Sequence, residues 1–185
     1  MGKEKKCTLY KKYTSYKKCI PYLILAGFTF FFCWWFVGRH GIFGAKVDWL
    51  SQHSVLPDYF RQQFYATGKI FPEFAPNLGG GQNIYHFAYY GLYSPLILPS
   101  YLLPFVKMSD YIMVISITGL TVSVLLFYYW LKSRKMDTGV AFIISLMFLL
   151  AGPMIGQYSG QIMFVDYMPF LCLALIGCLL YTSPS

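Results

Sequence analysis

Uncharged apolar runs recur along this chain at lengths that match a lipid bilayer. Residues 19–38 hold no Asp, Glu, Lys or Arg over 20 positions, and about 20 apolar residues are needed for a helix to cross the hydrocarbon layer. A second uncharged run covers residues 111–131, a third follows at 139–156, and a last apolar run at 162–177 holds Asp166 alone among charged residues. The first run ends in Cys33-Trp34-Trp35-Phe36. Those bulky residues suit an interfacial belt, whereas a signal peptide would have a shorter core and a small-residue cleavage site. The pattern predicts an all-α, polytopic membrane protein with transmembrane helices at 19–38, 111–131, 139–156 and 162–177.

Residues 92–106 are apolar but only 15 long, and Pro95, Pro99 and Pro104 interrupt them. Charge decides their place. Residues 1–18 carry seven lysines against Glu4, and Lys132, Arg134 and Lys135 follow the second run. Basic clusters beside a span stay in the cytoplasm. A crossing at 92–106 would put the second cluster outside, so this segment is expected to be interfacial or re-entrant on the outer side. The layout is then a basic cytoplasmic tail (1–18), a first span, a large extracytoplasmic loop (39–110), and a second span. A cytoplasmic connection (132–138), the third span, a polar turn at 157–161 and the fourth span complete it.

Composition agrees. The chain of 185 residues is 57% hydrophobic and 12% charged, about half the charge of an ordinary soluble domain. Disorder is excluded, because it needs low hydrophobicity and high charge. The net charge of +8 sits mainly in the N-terminal tail, with no basic folded surface after it, so no nucleic-acid partner is expected. The cysteines form no C-x-x-C pair and imply neither a disulfide framework nor a metal site.

Groups capable of chemistry gather in the outer loop. His40, His53, His86, Asp48, Asp58 and Glu73 all fall between Arg39 and Tyr90. On a helix, Asp48 and Gln52 are four apart and share a face with Ser51. Asp48 there either caps a helix starting at Trp49 or offers a carboxylate for proton transfer or cation binding. Leu56, Phe60 and Phe64 recur every four residues, which suits a short helix lying in the headgroup plane or packed on protein. Arg61 on another face could meet a lipid phosphate. Gly79-Gly80-Gly81, followed by Gln82 and Asn83, is either a tight turn or a phosphate-binding nest, without the Lys of a P-loop. The aromatics from Tyr85 to Tyr93, including Tyr89 and Tyr90, fit an interfacial belt or a surface for stacking sugar rings. Asp166 lies near the outer edge of the last run. The histidines lack close metal spacing, so no zinc site is expected.

In order, Asp48-Trp49-Leu50-Ser51-Gln52-His53, Phe71-Pro72-Glu73-Phe74, Leu78-Gly79-Gly80-Gly81-Gln82-Asn83, Tyr89-Tyr90-Gly91-Leu92-Tyr93-Ser94-Pro95 and the run from Ser159 to Asp166 resemble the YfhO family of bacterial membrane proteins. The resemblance covers about residues 20–177 and implies the N-terminal part of a GT-C-type glycosyltransferase. Such an enzyme would take a sugar from a polyprenyl-phosphate donor in the membrane lipid. It would pass the sugar to a cell-envelope polymer such as teichoic acid, outside the membrane. Asp48 sits where that family type places an acidic residue that activates or orients the acceptor, and Gln52 and His53 would orient the acceptor or the phosphate; Arg61, Gly80, Asn83, Tyr89 and Tyr90 are the further candidate substrate-binding residues. No cofactor is implied; no paired Asp-x-Asp occurs in the loop, and metal is left out. The last eight residues, 178–185, resemble a translated transposase adapter, so native sequence is expected to end near Gly177 within a longer protein. Two other functions stay open: a transporter or flippase of lipid-linked envelope components, and a small membrane scaffold.

Overall fold

The computed structural model describes residues 2–40, 44–45, 47–154 and 162–182, with side chains of 2–17, His40, 162–166 and Thr182 left aside. The turn expected at 157–161 and the Asp166 side chain therefore lie outside the described residues. Five α-helices make the frame: α1 (Gly2–His40), α2 (Val55–Thr67), α3 (Met108–Ser133), α4 (Thr138–Leu149) and α5 (Ile162–Thr182).

Helix α3 is the centre, packing against α1, α4 and α5. Its buried positions include Ser116, Gly119 and Ser123, small residues of the kind that let helices approach closely where no water drives them together. The hydroxyls cost nothing there. Ser116 donates to Ile112 O at 2.6 Å, Ser123 to Gly119 O at 2.7 Å and Ser145 to Ala141 O at 2.8 Å, which satisfies each polar group inside its own helix. Helix α1 is peripheral. Leu25, Thr29 and Cys33 form one buried stripe while Leu23 and Trp34 stay exposed, as expected of a helix with lipid on its other sides.

Among the described residues, two helical segments are long and apolar enough to cross a membrane: Lys18–Arg39 within α1, and Met108–Ser133, which is α3. The third expected span differs. Helix α4 stops at Leu149 rather than running to 156: Leu150 and Ala151 turn the chain and Gly152-Pro153 open a new helical turn, where Pro153 has no N–H to give the Leu149 carbonyl. Helix α1 also continues N-terminally past the apolar run, through Pro21 to Gly2. The α3–α4 turn is tied by Lys132, whose Nζ donates to Met136 O at 2.7 Å and Thr138 Oγ1 at 3.0 Å. Asp137 Oδ1 accepts from Gly139 N and Val140 N; those N–H groups, with Lys132 nearby, hold its carboxyl below the usual value.

Between α1 and α3 the chain builds a second, smaller core. Leu56, Phe60, Ala75, Ile84, Tyr90, Leu92 and Tyr101 are buried together, with Phe64 and Leu98 packed alongside. The Leu56–Phe60–Phe64 stripe of α2 thus faces protein. Strands β1 (Phe74–Ala75) and β2 (Gln82–Asn83) pair antiparallel, Phe74 opposite Asn83. Two 3₁₀ helices, Ile84–Tyr90 and Leu98–Leu102, complete the layer. Within 92–106, Leu92, Ile97, Ser100 and Tyr101 are buried in protein, while Leu102, Leu103 and Phe105 are exposed.

Candidate functional site

Residues Trp49–His53 form one wide π-type turn, closed by Ser54 N donating to Trp49 O at 3.0 Å. Single turns of this width are frequent at functional sites. Asp48 precedes it in helical conformation, and its side chain makes no capping hydrogen bond. Capping is therefore not what occupies this carboxylate. The turn places Trp49 and His53 inward, with ring centroids 6.3 Å apart. Gly44 passes so close beneath the Trp49 indole that a Cβ would meet Cδ2 at 2.3 Å.

The opposite wall comes from the 3₁₀ helix Ile84–Tyr90. Asn83 Oδ1 caps it by accepting from Tyr85 N at 2.9 Å, and it ends at Gly91. Tyr90 at its end reaches back across 38 residues, and its Oη donates to Gln52 Oε1. Its ring lies 5.4 Å from the His53 ring and 4.1 Å from that of Tyr89. The structure therefore brings Asp48, Gln52, His53, Tyr89 and Tyr90 into one cluster, half-open to solvent through Gln52 and Tyr89.

Electrostatics fix the protonation states. Burial lowers the His53 pKa below its ordinary value, and the nearby Asp48 charge opposes that shift. At neutral pH the imidazole is uncharged, with Nδ1 buried and without a hydrogen-bond partner. Burial, helped by contact with Tyr89 and the Asp48 charge, pushes the Tyr90 phenol up to about 12. Tyr90 stays a donor at any physiological pH and holds Gln52 by its oxygen, which leaves the amide N–H groups of Gln52 for another acceptor.

The other expected residues lie elsewhere. Arg61 is 6% exposed. Its Nη1 donates to Leu103 O at 3.1 Å and Val106 O at 2.9 Å, and its Nη2 to Asp58 Oδ1 at 2.5 Å. Three guanidinium donors are thus committed to protein. Arg61 also borders an open groove of about 470 Å³, with Ser54, Asp58, Gln62, Phe105 and Lys107 among its walls. Gly80 is exposed in the β1–β2 turn, where Gly79, Gly80 and Gly81 all have positive φ (56°, 82° and 100°) and Gly81 N donates to Leu78 O at 2.9 Å. That is the tight-turn alternative. Among the described residues, no three His, Cys, Asp or Glu side chains are grouped to hold a metal ion.

A family model described as bacterial membrane protein YfhO matches residues 18–182. The chain belongs to the YfhO family. The match spans both helical segments long enough to cross a membrane and the layer between them, so the chain is a membrane protein whose polar cluster lies within the family region. No curated protein and no solved structure matches it.

Tyr90 is the member of the cluster whose partner spacing alone does not reveal. Its contact with Gln52 depends on the fold of the whole segment between them. The only local hint is the Asn83 cap before, and Gly91 after, a short aromatic run.

Proposed function

We propose that this chain forms the acceptor-side part of a membrane glycosyltransferase that uses a polyprenyl-phosphate sugar. In this reading it is multi-pass with its N-terminus in the cytoplasm, and the loop between α1 and α3 is extracytoplasmic. The polymer accepting the sugar is an envelope polyol such as teichoic acid. Asp48 is the general base. Its carboxylate takes the proton from an acceptor hydroxyl as that oxygen bonds to the anomeric carbon. The bond from that carbon to the lipid phosphate breaks, and the phosphate leaves with the electron pair. Gln52, held by Tyr90, donates its amide N–H to the acceptor or phosphate. The neutral His53 backs Asp48 without adding a competing positive charge, and Tyr89 gives the sugar an exposed aromatic face.

The observation that carries this reading is the Asp48 carboxylate, uncommitted to capping and set beside Gln52, His53 and Tyr90. Its test is Asp48→Asn in the full-length gene. Envelope glycosylation is expected to disappear with the protein still present at normal level in the membrane. Retained sugar transfer would remove Asp48 from the mechanism. Purified protein that moves labelled lipid-linked sugar across vesicles without forming product would instead identify a flippase.

A further inference from the structure

A second surface stands apart from the polar cluster, and its backbone says what covers it. Leu102 is 82% exposed and Phe105 98%, with Leu103 and Val106 also open. Lys107 follows as the residue before α3, and Met108 begins the membrane-crossing segment. Just before this tip the pattern reverses, Ser100 and Tyr101 being buried. Apolar side chains this exposed, continuous with a span, sit where the span leaves the bilayer.

Exposure alone would leave the partner open, but the hydrogen bonds narrow it. Hydrocarbon satisfies no backbone group, so non-helical chain at membrane depth must be paired by protein. At Leu103 and Val106 that pairing is present. Arg61 on α2 donates to the carbonyls of both Leu103 and Val106. Val106 N donates to Leu103 O at 3.2 Å, and Leu103 N to Ser100 O at 3.0 Å. Tyr65 Oη donates to Tyr101 O at 2.5 Å, and Pro104 has no N–H to satisfy. A turn in water needs no buried guanidinium to cover its carbonyls, whereas a turn in lipid does.

We infer that residues 102–106 are a membrane-inserted tip, seated in the acyl region of the outer-leaflet lipid and held in shape by Arg61. Lys107 then lies at the depth of the lipid phosphates, its stem along apolar surface and its charge at the headgroups. Arg61 acts as a positioning residue for this tip, independently of any role for Asp48. Only five residues of the 92–106 segment enter lipid; among the rest, Leu92, Ile97, Ser100 and Tyr101 are buried in protein.

The test uses the unmodified full-length protein in vesicles of phosphatidylglycerol and phosphatidylethanolamine carrying a diazirine in the acyl chain. After irradiation, mass spectrometry maps the adducts. Adducts on residues 102–106, alongside those on the exposed faces of α1 and α3, are expected. A tip without adducts while α1 and α3 are labelled overturns the inference. Coverage by a second copy or another protein segment would give the same unlabelled result. In Arg61→Gln, tip adducts should fall severalfold while α1 and α3 labelling holds. Unchanged tip labelling would overturn the part assigned to Arg61. A nitroxide at Phe105→Cys, with the native cysteines replaced, gives a second readout. It should meet oxygen more readily than a water-soluble nickel complex, and the reverse order overturns insertion.

Discussion

Gly91 is the point at which the wall of the polar cluster is most easily broken. It closes the 3₁₀ helix with φ 109° and ψ 12°, donating its N–H to Ala88 O at 3.1 Å. A Cβ there would lie 2.9 Å from Ile97 Cγ1 and 3.5 Å from Ile97 Cβ. Ile97 is fully buried, so it has no free space into which to retreat. Gly91→Ala therefore carries two costs: about 1–2 kcal/mol for an L-residue at positive φ, and about 1–3 kcal/mol for overpacking.

Gly68, at the end of α2, separates them. Its φ is 71° and nothing lies within 4 Å of an added Cβ, so Gly68→Ala carries only the conformational cost. Hydrogen exchange of residues 84–97 in nanodiscs reads the opening of the helix that carries Tyr90. The overpacking part alone should speed that opening by roughly 5- to 150-fold, at about 1.4 kcal/mol per decade. In an Ile97→Ala background the overpacking vanishes and Gly91→Ala should show only the smaller penalty, a coupling that a double-mutant cycle measures. Equal effects of Gly91→Ala in both backgrounds would refute the steric argument.

Two further outcomes follow from the same layer. His53 has a folded pKa below its ordinary 6.5 because of burial, so between the two values the unfolded chain binds more protons. Its contribution is complete above about pH 6.5 and is lost as pH falls from there through the folded value. Exchange around residues 49–60, corrected for intrinsic rate, should therefore quicken from about pH 7.5 to about pH 5.5. Pairing with Asp48→Asn, which removes an opposing influence, should strengthen the effect, and pH-independent exchange would contradict it. Phe60 is 0% exposed at the centre of the outer core, so Phe60→Ala should cost about 3–5 kcal/mol of that layer's stability. The half-exposed Val55, five residues earlier, should tolerate Val55→Ala within about 0.5 kcal/mol. Urea titration of protease resistance in the outer layer distinguishes the two.

The parts of the fold legible in sequence are those set by composition along a single helix. The 19–38 and 111–131 runs announce α1 and α3 because lipid selects every face of such a helix at once. The four-residue spacing of Leu56, Phe60 and Phe64 announces α2, but spacing cannot say whether a stripe meets lipid or protein. That choice is made by Ala75, Ile84, Leu92 and Tyr101, which arrive from far along the chain. Asp48 and Gln52 were visible as one local face. Tyr90 as the partner of Gln52, and Arg61 as the staple of residues 103–106, depend on contacts 38 to 45 residues apart and leave no periodic trace. Helix α4 shows the converse: Pro153 is plain in the sequence, yet the continuity of apolar residues hides the break at Leu150–Ala151 that its missing N–H favours.

The position of the polar cluster is itself informative. Trp49 belongs to the core formed between the membrane-embedded helices, and Tyr90 to the core of the outer layer. His53 touches both rings, at 6.3 Å and 5.4 Å. The π-type turn that carries Gln52 and His53, and follows Asp48, thus lies on the seam between two separately packed bodies. That turn is thus positioned by both cores, through Trp49 on one side and Tyr90 on the other, and the role proposed for Asp48 draws on this double support.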